Sequence, residues 1–251
     1  MQDLNRRRHG VWLSFLIFSS AVAGAAEVKV LSDGPLEPAL VGIAEAFRRD
    51  SGHEVKFVFG LSPVIHKRIV DGEAADVVII QPDFIDELVK AGKVAAGEHP
   101  VIGRVGIGLF TRADAAAPPD VSTSQGLKQA LQSADTLIFN NVASGNYFAT
   151  VLERLGIAEA LKAKVTRTTP PDVIARIVQG KGSDIGVYPV TLIVADKRLK
   201  LIGTLPSELQ SYIAYAAAMM SNAASTDAGQ AFIRFLGSPA SKAAFGAAGV
   251  N

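Results

Sequence analysis

Asp71-Gly72-Glu73-Ala74-Ala75-Asp76-Val77-Val78-Ile79-Ile80 is the most informative stretch of the chain. The residues before it carry Ile65, Ile69 and Val70 at helical spacing, directed inward, and Gly72 stands just past that helix, where C-terminal turns favour glycine. Asp76 to Ile80 is then nearly continuous in apolar residues, as expected of a parallel strand buried on both faces. Moving toward the N-terminus, Val55 to Phe59 reads as a strand, Pro35 to Arg49 as a helix with Leu36, Leu40, Ile43 and Phe47 on one face, and Val28 to Leu31 as the first strand. Repeated strand and helix units with short connections imply an α/β fold with parallel sheet.

The same grammar recurs beyond residue 130. Thr136 to Asn140 reads as a strand, and Phe148, Val151, Leu152 and Leu155 form a helix face that stops at Gly156. Lys164 to Thr169 is extended, Val173, Ile174, Ile177 and Val178 mark a helix ending at Gly180, and Asp184 to Tyr188 is another buried strand. Two long runs, Val101 to Thr111 and Leu209 to Met220, suit strands that cross between two lobes. Ser225 to Val250 reads as two closing helices that return to the first lobe. This pattern divides the chain into lobe 1, residues 26–104 plus 213–251, and lobe 2, residues 105–212.

The first 25 residues read as a secretory signal peptide. Arg6, Arg7 and Arg8 make a positive start, Val11 to Val22 is a short apolar run, and Ala23-Gly24-Ala25 is a small-residue cleavage signal. The run is shorter than the ~20 residues of a membrane-spanning helix, so the expected destination is the periplasm. Removing these residues, with three arginines and one aspartate, from 251 residues of net charge +1 leaves 226 residues of net charge −1. A near-neutral chain gives no electrostatic case for nucleic-acid binding. Zero cysteines exclude disulfides, thiol nucleophiles and Cys-based metal sites. The remaining histidines, His53, His66 and His99, have no metal-ligand spacing, so neither a metal nor a cofactor is expected.

In open α/β sheets ligands sit beyond the carboxyl ends of the strands, so the turns there are the candidate site. They are Ser32-Asp33-Gly34-Pro35, Gly60-Leu61-Ser62-Pro63, Asn140 through Tyr147 and Thr168 through Asp172. Each opens a helix whose free N–H groups and dipole can attract an anion. Taken singly, each is also an ordinary helix cap.

These residues resemble the periplasmic molybdate-binding protein family, the solute-binding components of ABC importers, over essentially the whole length after residue 25. The resemblance is carried by Leu31 through Leu36, by Phe59 through Ile69 into Asp71 through Ile79, by Ala143-Ser144-Gly145, by Pro171-Asp172-Val173, by Gly186-Val187-Tyr188 and by Leu236-Gly237-Ser238-Pro239. It implies a type II periplasmic-binding-protein fold, two mainly parallel sheets flanked by helices with a cleft between the lobes. It further implies a monomeric, non-enzymatic receptor that delivers a small oxyanion to an inner-membrane ABC permease. Carried over by position, Tyr188 matches a ligand tyrosine, Val173 and Ser144 match backbone-amide positions, and Ser62 or Pro63 matches a ligand serine. The other ligand serine falls beside Gly34 on Pro35, and a proline has neither hydroxyl nor N–H to offer. Two lost hydrogen bonds to a charged group, at ~1.5–3 kcal/mol each, forfeit about 100-fold or more in affinity unless replaced. Asn140, Asn141, Asn146, Tyr147 and Ser32 offer replacements, which suit a small organic carboxylate at least as well as molybdate.

Other chemistries have less support. Ser62 and His66, four apart on one helix, with Asp33, outline an exported hydrolase. No Gly-x-Ser-x-Gly elbow or Walker loop accompanies them. Gly103 to Gly108 has the glycine spacing of a dinucleotide loop but lies inside an extended run. Arg176 and Arg167 are the nearest candidate anion partners, Arg176 more naturally on a solvated helix face.

Overall fold

A computed structural model describes residues 24–116 and 120–251. Residues 1–23, most of the leader read from the sequence, lie outside them. β1 (Glu27–Asp33), α1 (Glu37–Ser51), β2 (Glu54–Gly60), α2 (Ser62–Val70), β3 (Val77–Ile80) and α3 (Pro82–Lys90) lead to the long β4 (Val101–Arg112). There follow α4 (Ser124–Ser133), β5 (Leu137–Asn140), α5 (Ala143–Arg154), α6 (Ala158–Leu161), β6 (Val165–Thr168), α7 (Pro170–Gln179), β7 (Ile185–Pro189), α8 (Val190–Ala195) and β8 (Leu199–Thr204). β9 (Tyr212–Met219), α9 (Thr226–Leu236) and α10 (Pro239–Ala247) come last.

β4 belongs to two sheets. Its residues Val101 to Gly106 pair antiparallel with β9, and Ile107 to Arg112 pair antiparallel with β7 and β8. The first sheet runs β2-β1-β3-β9-β4 and the second β8-β4-β7-β5-β6. Parallel pairing is confined to β2-β1-β3 and β6-β5-β7. The antiparallel ladders all involve β4 or β9, because a strand that returns from the other half of the molecule enters its sheet from the opposite end.

Each sheet is covered on both faces, which explains the continuous apolar strands. Val77 and Ile79 face a core with Leu40, Phe47, Phe232 and Phe245, while Val78 and Ile80 face Ile65, Ile69 and Leu88. In the second sheet Leu137 and Phe139 join Leu127, Phe148 and Leu152, and Ile138 joins Phe110, Val173 and Ile177. Phe232, Leu236 and Phe245 place α9 and α10 against the first sheet.

Two expectations are corrected. Val70, expected inward, is exposed at the last turn of α2, whose packing face is Ile65 and Ile69. The run from Leu209 is not strand throughout: a single 3-10 turn spans Ser207–Leu209, and β9 starts at Tyr212. Between them the Gln210 side chain holds the Ile107 backbone, accepting from its N–H at 2.9 Å and donating to its C=O at 3.0 Å.

The Gly-x-x-Ala-Asp motif is a structural joint. Gly72 has φ +104°, a left-handed conformation that glycine adopts without cost. The Asp76 carboxylate accepts from Lys29 N–H at 2.8 Å and from Ser225 N–H at 2.7 Å. It thereby ties β3 to β1 and to the start of α9.

Candidate functional site

A cavity of about 540 Å³ opens at the carboxyl ends of the strands, lined from both sheets. Asp33, Gly34, Pro35, Gly60 to Pro63, Gln81 and Phe84 contribute from the first sheet, with Ile213 and Tyr215 from β9. Asn140, Val142 to Ser144, Pro170, Pro171, Tyr188, Pro189 and Leu192 contribute from the second. No lysine, arginine or histidine is among these lining residues.

The first-sheet corner is organised by a carboxyl group of the chain itself. β1 and β2 run in parallel register with Asp33 opposite Gly60, which brings the start of α2 onto the end of β1. Asp33, 3% exposed, accepts from the Ser62 N–H at 3.1 Å and from the Ser62 hydroxyl in a short contact. The Ser62 Oγ in turn accepts from Gln81 N–H at 3.3 Å. Val64 and Ile65 N–H donate to Leu61 C=O, and Pro63 has no N–H. The donors at the N-terminus of α2 are therefore already engaged within the protein. Burial raises the Asp33 pKa, with hydrogen bonds from Ser62, from the Gly34 N–H and from the Gln81 side chain pulling the other way.

The corner at α5 is the opposite case. Asn140, 1% exposed, caps the helix from the end of β5: its Oδ1 accepts from Val142 N–H at 3.1 Å and Gly145 N–H at 3.0 Å. Its Nδ2 donates to Ser144 Oγ at 2.8 Å, leaving the serine's own proton free to point elsewhere. Among the described residues, the N–H groups of Ala143 and Ser144 donate to no protein acceptor. Two free amides, a hydroxyl and the positive end of a helix of 12 residues converge here.

At α7 the expected donors are reduced. Pro170 and Pro171 supply no N–H, Asp172 N–H bonds Thr169 C=O, and the Tyr188 hydroxyl donates to Pro170 C=O at 2.9 Å. Burial pushes the Tyr188 phenol up to about 12, so it stays protonated. Opposite stands Tyr215, which the sequence reading missed. It is 1% exposed, lines the cavity, and its hydroxyl has no hydrogen-bond partner among the described residues. Burial, reinforced by the nearby Asp33 charge, raises its pKa as well.

Of the residues singled out from the sequence, Gly34, Pro35, Ser62, Ser144 and Tyr188 line the cavity. Gly145 lies behind it against Asn140, and Val173 is buried in the second-sheet core. Asn146 is exposed, and its Oδ1 accepts from Arg167. Arg176 is exposed on α7, as a solvated helix face requires. The Ser62–His66 pairing that the disfavoured hydrolase alternative needs is not made. Ser62 turns back to Asp33, whereas His66 leans toward α3, with Nε2 3.1 Å from Glu87 and its ring against Phe84. Without a Ser–His contact the Ser-His-Asp arrangement of a hydrolase is not formed.

Sequence and structure comparisons agree with this architecture. A protein named aconitate isomerase from a Pseudomonas species is 27% identical over 217 residues, covering 83% of this chain and 81% of its own. The molybdate-binding protein ModA of Escherichia coli K12 is 21% identical over 215 residues, 84% of each chain. The solved structure of the periplasmic molybdate-binding protein of Azotobacter vinelandii superposes with a TM-score of 0.73 at 20% identity, covering 89% of this chain and 98% of that one. Residues 28–251 match the family described as bacterial extracellular solute-binding protein, and the chain belongs to that family.

Proposed function

We propose that the protein is a periplasmic receptor that captures a small organic carboxylate between its lobes and hands it, as a monomer, to an inner-membrane ABC permease. The observation that carries this reading is the asymmetry of the cavity. The free donors stand at α5, suited to one carboxylate, while the donors at α2 are held by Asp33. A molybdate-like tetrahedral dianion would lack the second donor corner and would face a carboxyl group instead. The 540 Å³ volume, with Pro35, Phe59, Pro63, Phe84 and Leu192 in its walls, lies within the ~300–1,000 Å³ usual for small organic ligands. Lobe 1 is residues 26–104 plus 213–251 and lobe 2 residues 105–212, a division supported by the change of β4 partners after Gly106. The two crossings, at β4 and around Gln210, are the hinge.

The test is a thermal-stability panel of molybdate, tungstate, sulfate, phosphate and small carboxylates, with ligand recovery followed by NMR. A true ligand at a hundredfold excess over its Kd adds about 2.7 kcal/mol of stability and is recovered unchanged. Stabilisation by molybdate and tungstate alone contradicts the carboxylate assignment. A second reading, isomerisation of a polycarboxylate, draws on the relative named aconitate isomerase and on a buried carboxyl group inside the cavity. Conversion of aconitate in the NMR arm, lost in Asp33→Asn, would establish it in place of pure binding.

A further inference from the structure

Resting on the organic-anion reading, we infer that Asp33 and Tyr215 form a hydroxyl-recognition corner, so that the ligand class is a small hydroxycarboxylic acid. Its carboxylate lies at the N-terminus of α5 and its hydroxyl between these two side chains. Both side chains are more than nine-tenths buried and line the same cavity. Among the described residues the Tyr215 hydroxyl makes no hydrogen bond and is not a buried unpaired atom, so its proton is open to the cavity and available to a ligand. Asp33 accepts from the Ser62 N–H and hydroxyl and, more weakly, from the Gly34 N–H and the Gln81 side chain, so a ligand hydroxyl would take the place of the Gln81 amide on a carboxylate that only accepts. An alcohol is the simplest group that donates to the one while accepting from the other. A bare oxyanion offers Asp33 nothing but lone pairs, and no cation in the cavity lining offsets the repulsion.

The inference is read by titration calorimetry at pH 8 with three matched pairs: lactate and propionate, malate and succinate, citrate and tricarballylate. In the pair of fitting length the hydroxylated member binds about tenfold tighter or more, because a site built to bond a hydroxyl rejects the analogue that lacks it. Tyr215→Phe brings that ratio to within about threefold of unity and leaves the deoxy member within about threefold of its own Kd. Asp33→Asn, which retains an oxygen for the Ser62 N–H, also lowers the ratio and tightens the deoxy member by removing a like charge. Equal binding within every pair, or a ratio that persists in both variants, overturns the hydroxyl corner while leaving the receptor reading intact. Absence of binding by all six acids overturns the receptor reading itself.

Discussion

Gly145→Ala abolishes ligand binding and lowers the unfolding free energy by about 3 kcal/mol. An added Cβ would lie 1.9 Å from the Asn140 carbonyl oxygen and 2.7 Å from its Oδ1, so backbone at the junction of β5 and α5 must move. No flexible side chain can yield instead. The movement displaces the Asn140 cap from Val142 and Gly145, and with it the alignment of the free Ala143 and Ser144 amides. Denaturant unfolding and calorimetry on the same preparation read both effects. Gly246→Ala in α10 is the control: nothing lies within 4 Å of the added methyl, and the helix gains about 0.5–1 kcal/mol. Wild-type affinity in Gly145→Ala would remove α5 from the site.

Asp33→Ala converts the first-sheet corner from acceptor to donor. The Ser62 N–H and hydroxyl lose their internal partner and face the cavity, which Ser62 already lines. Two hydrogen bonds to a charged ligand contribute about 1.5–3 kcal/mol each, so molybdate affinity rises roughly 100-fold over the wild type. Competition calorimetry with molybdate measures this. An unchanged or weaker molybdate Kd would show that Asp33 is not what disfavours a tetrahedral dianion here.

The architecture was legible because both sheets are buried on two faces. Val77 to Ile80 can be apolar at every position only if each side meets a core, and the glycines at 72 and 156, both with positive φ, punctuate the helices before such strands or turns. β8 was less legible, since among the described residues Leu199–Thr204 pairs with β4 alone and is half-buried, without the apolar continuity of its neighbours. The site was legible in position more than in chemistry. Gly34, Pro35, Ser62, Ser144 and Tyr188 could be placed at strand ends, but the partners of their protons depend on residues distant in sequence. Asp33 and Ser62 stand 29 residues apart and meet only through the parallel register of β1 and β2. Tyr215 lies in an alanine-rich strand that reads as core, and only the convergence of β9 on the cavity exposes its hydroxyl to a ligand. The Gly72 to Asp76 motif, the most specific piece of the sequence, turns out to bind backbone.

The most direct measurement is a crystal structure of the protein with the tightest-binding carboxylate of the panel. The account predicts a carboxylate within hydrogen-bond distance of the Ala143 and Ser144 N–H groups, enclosed between the two lobes, with Asp33 still accepting from Ser62. A ligand bound outside the cavity, or one held by α2 with the Asp33–Ser62 contact broken, would contradict it.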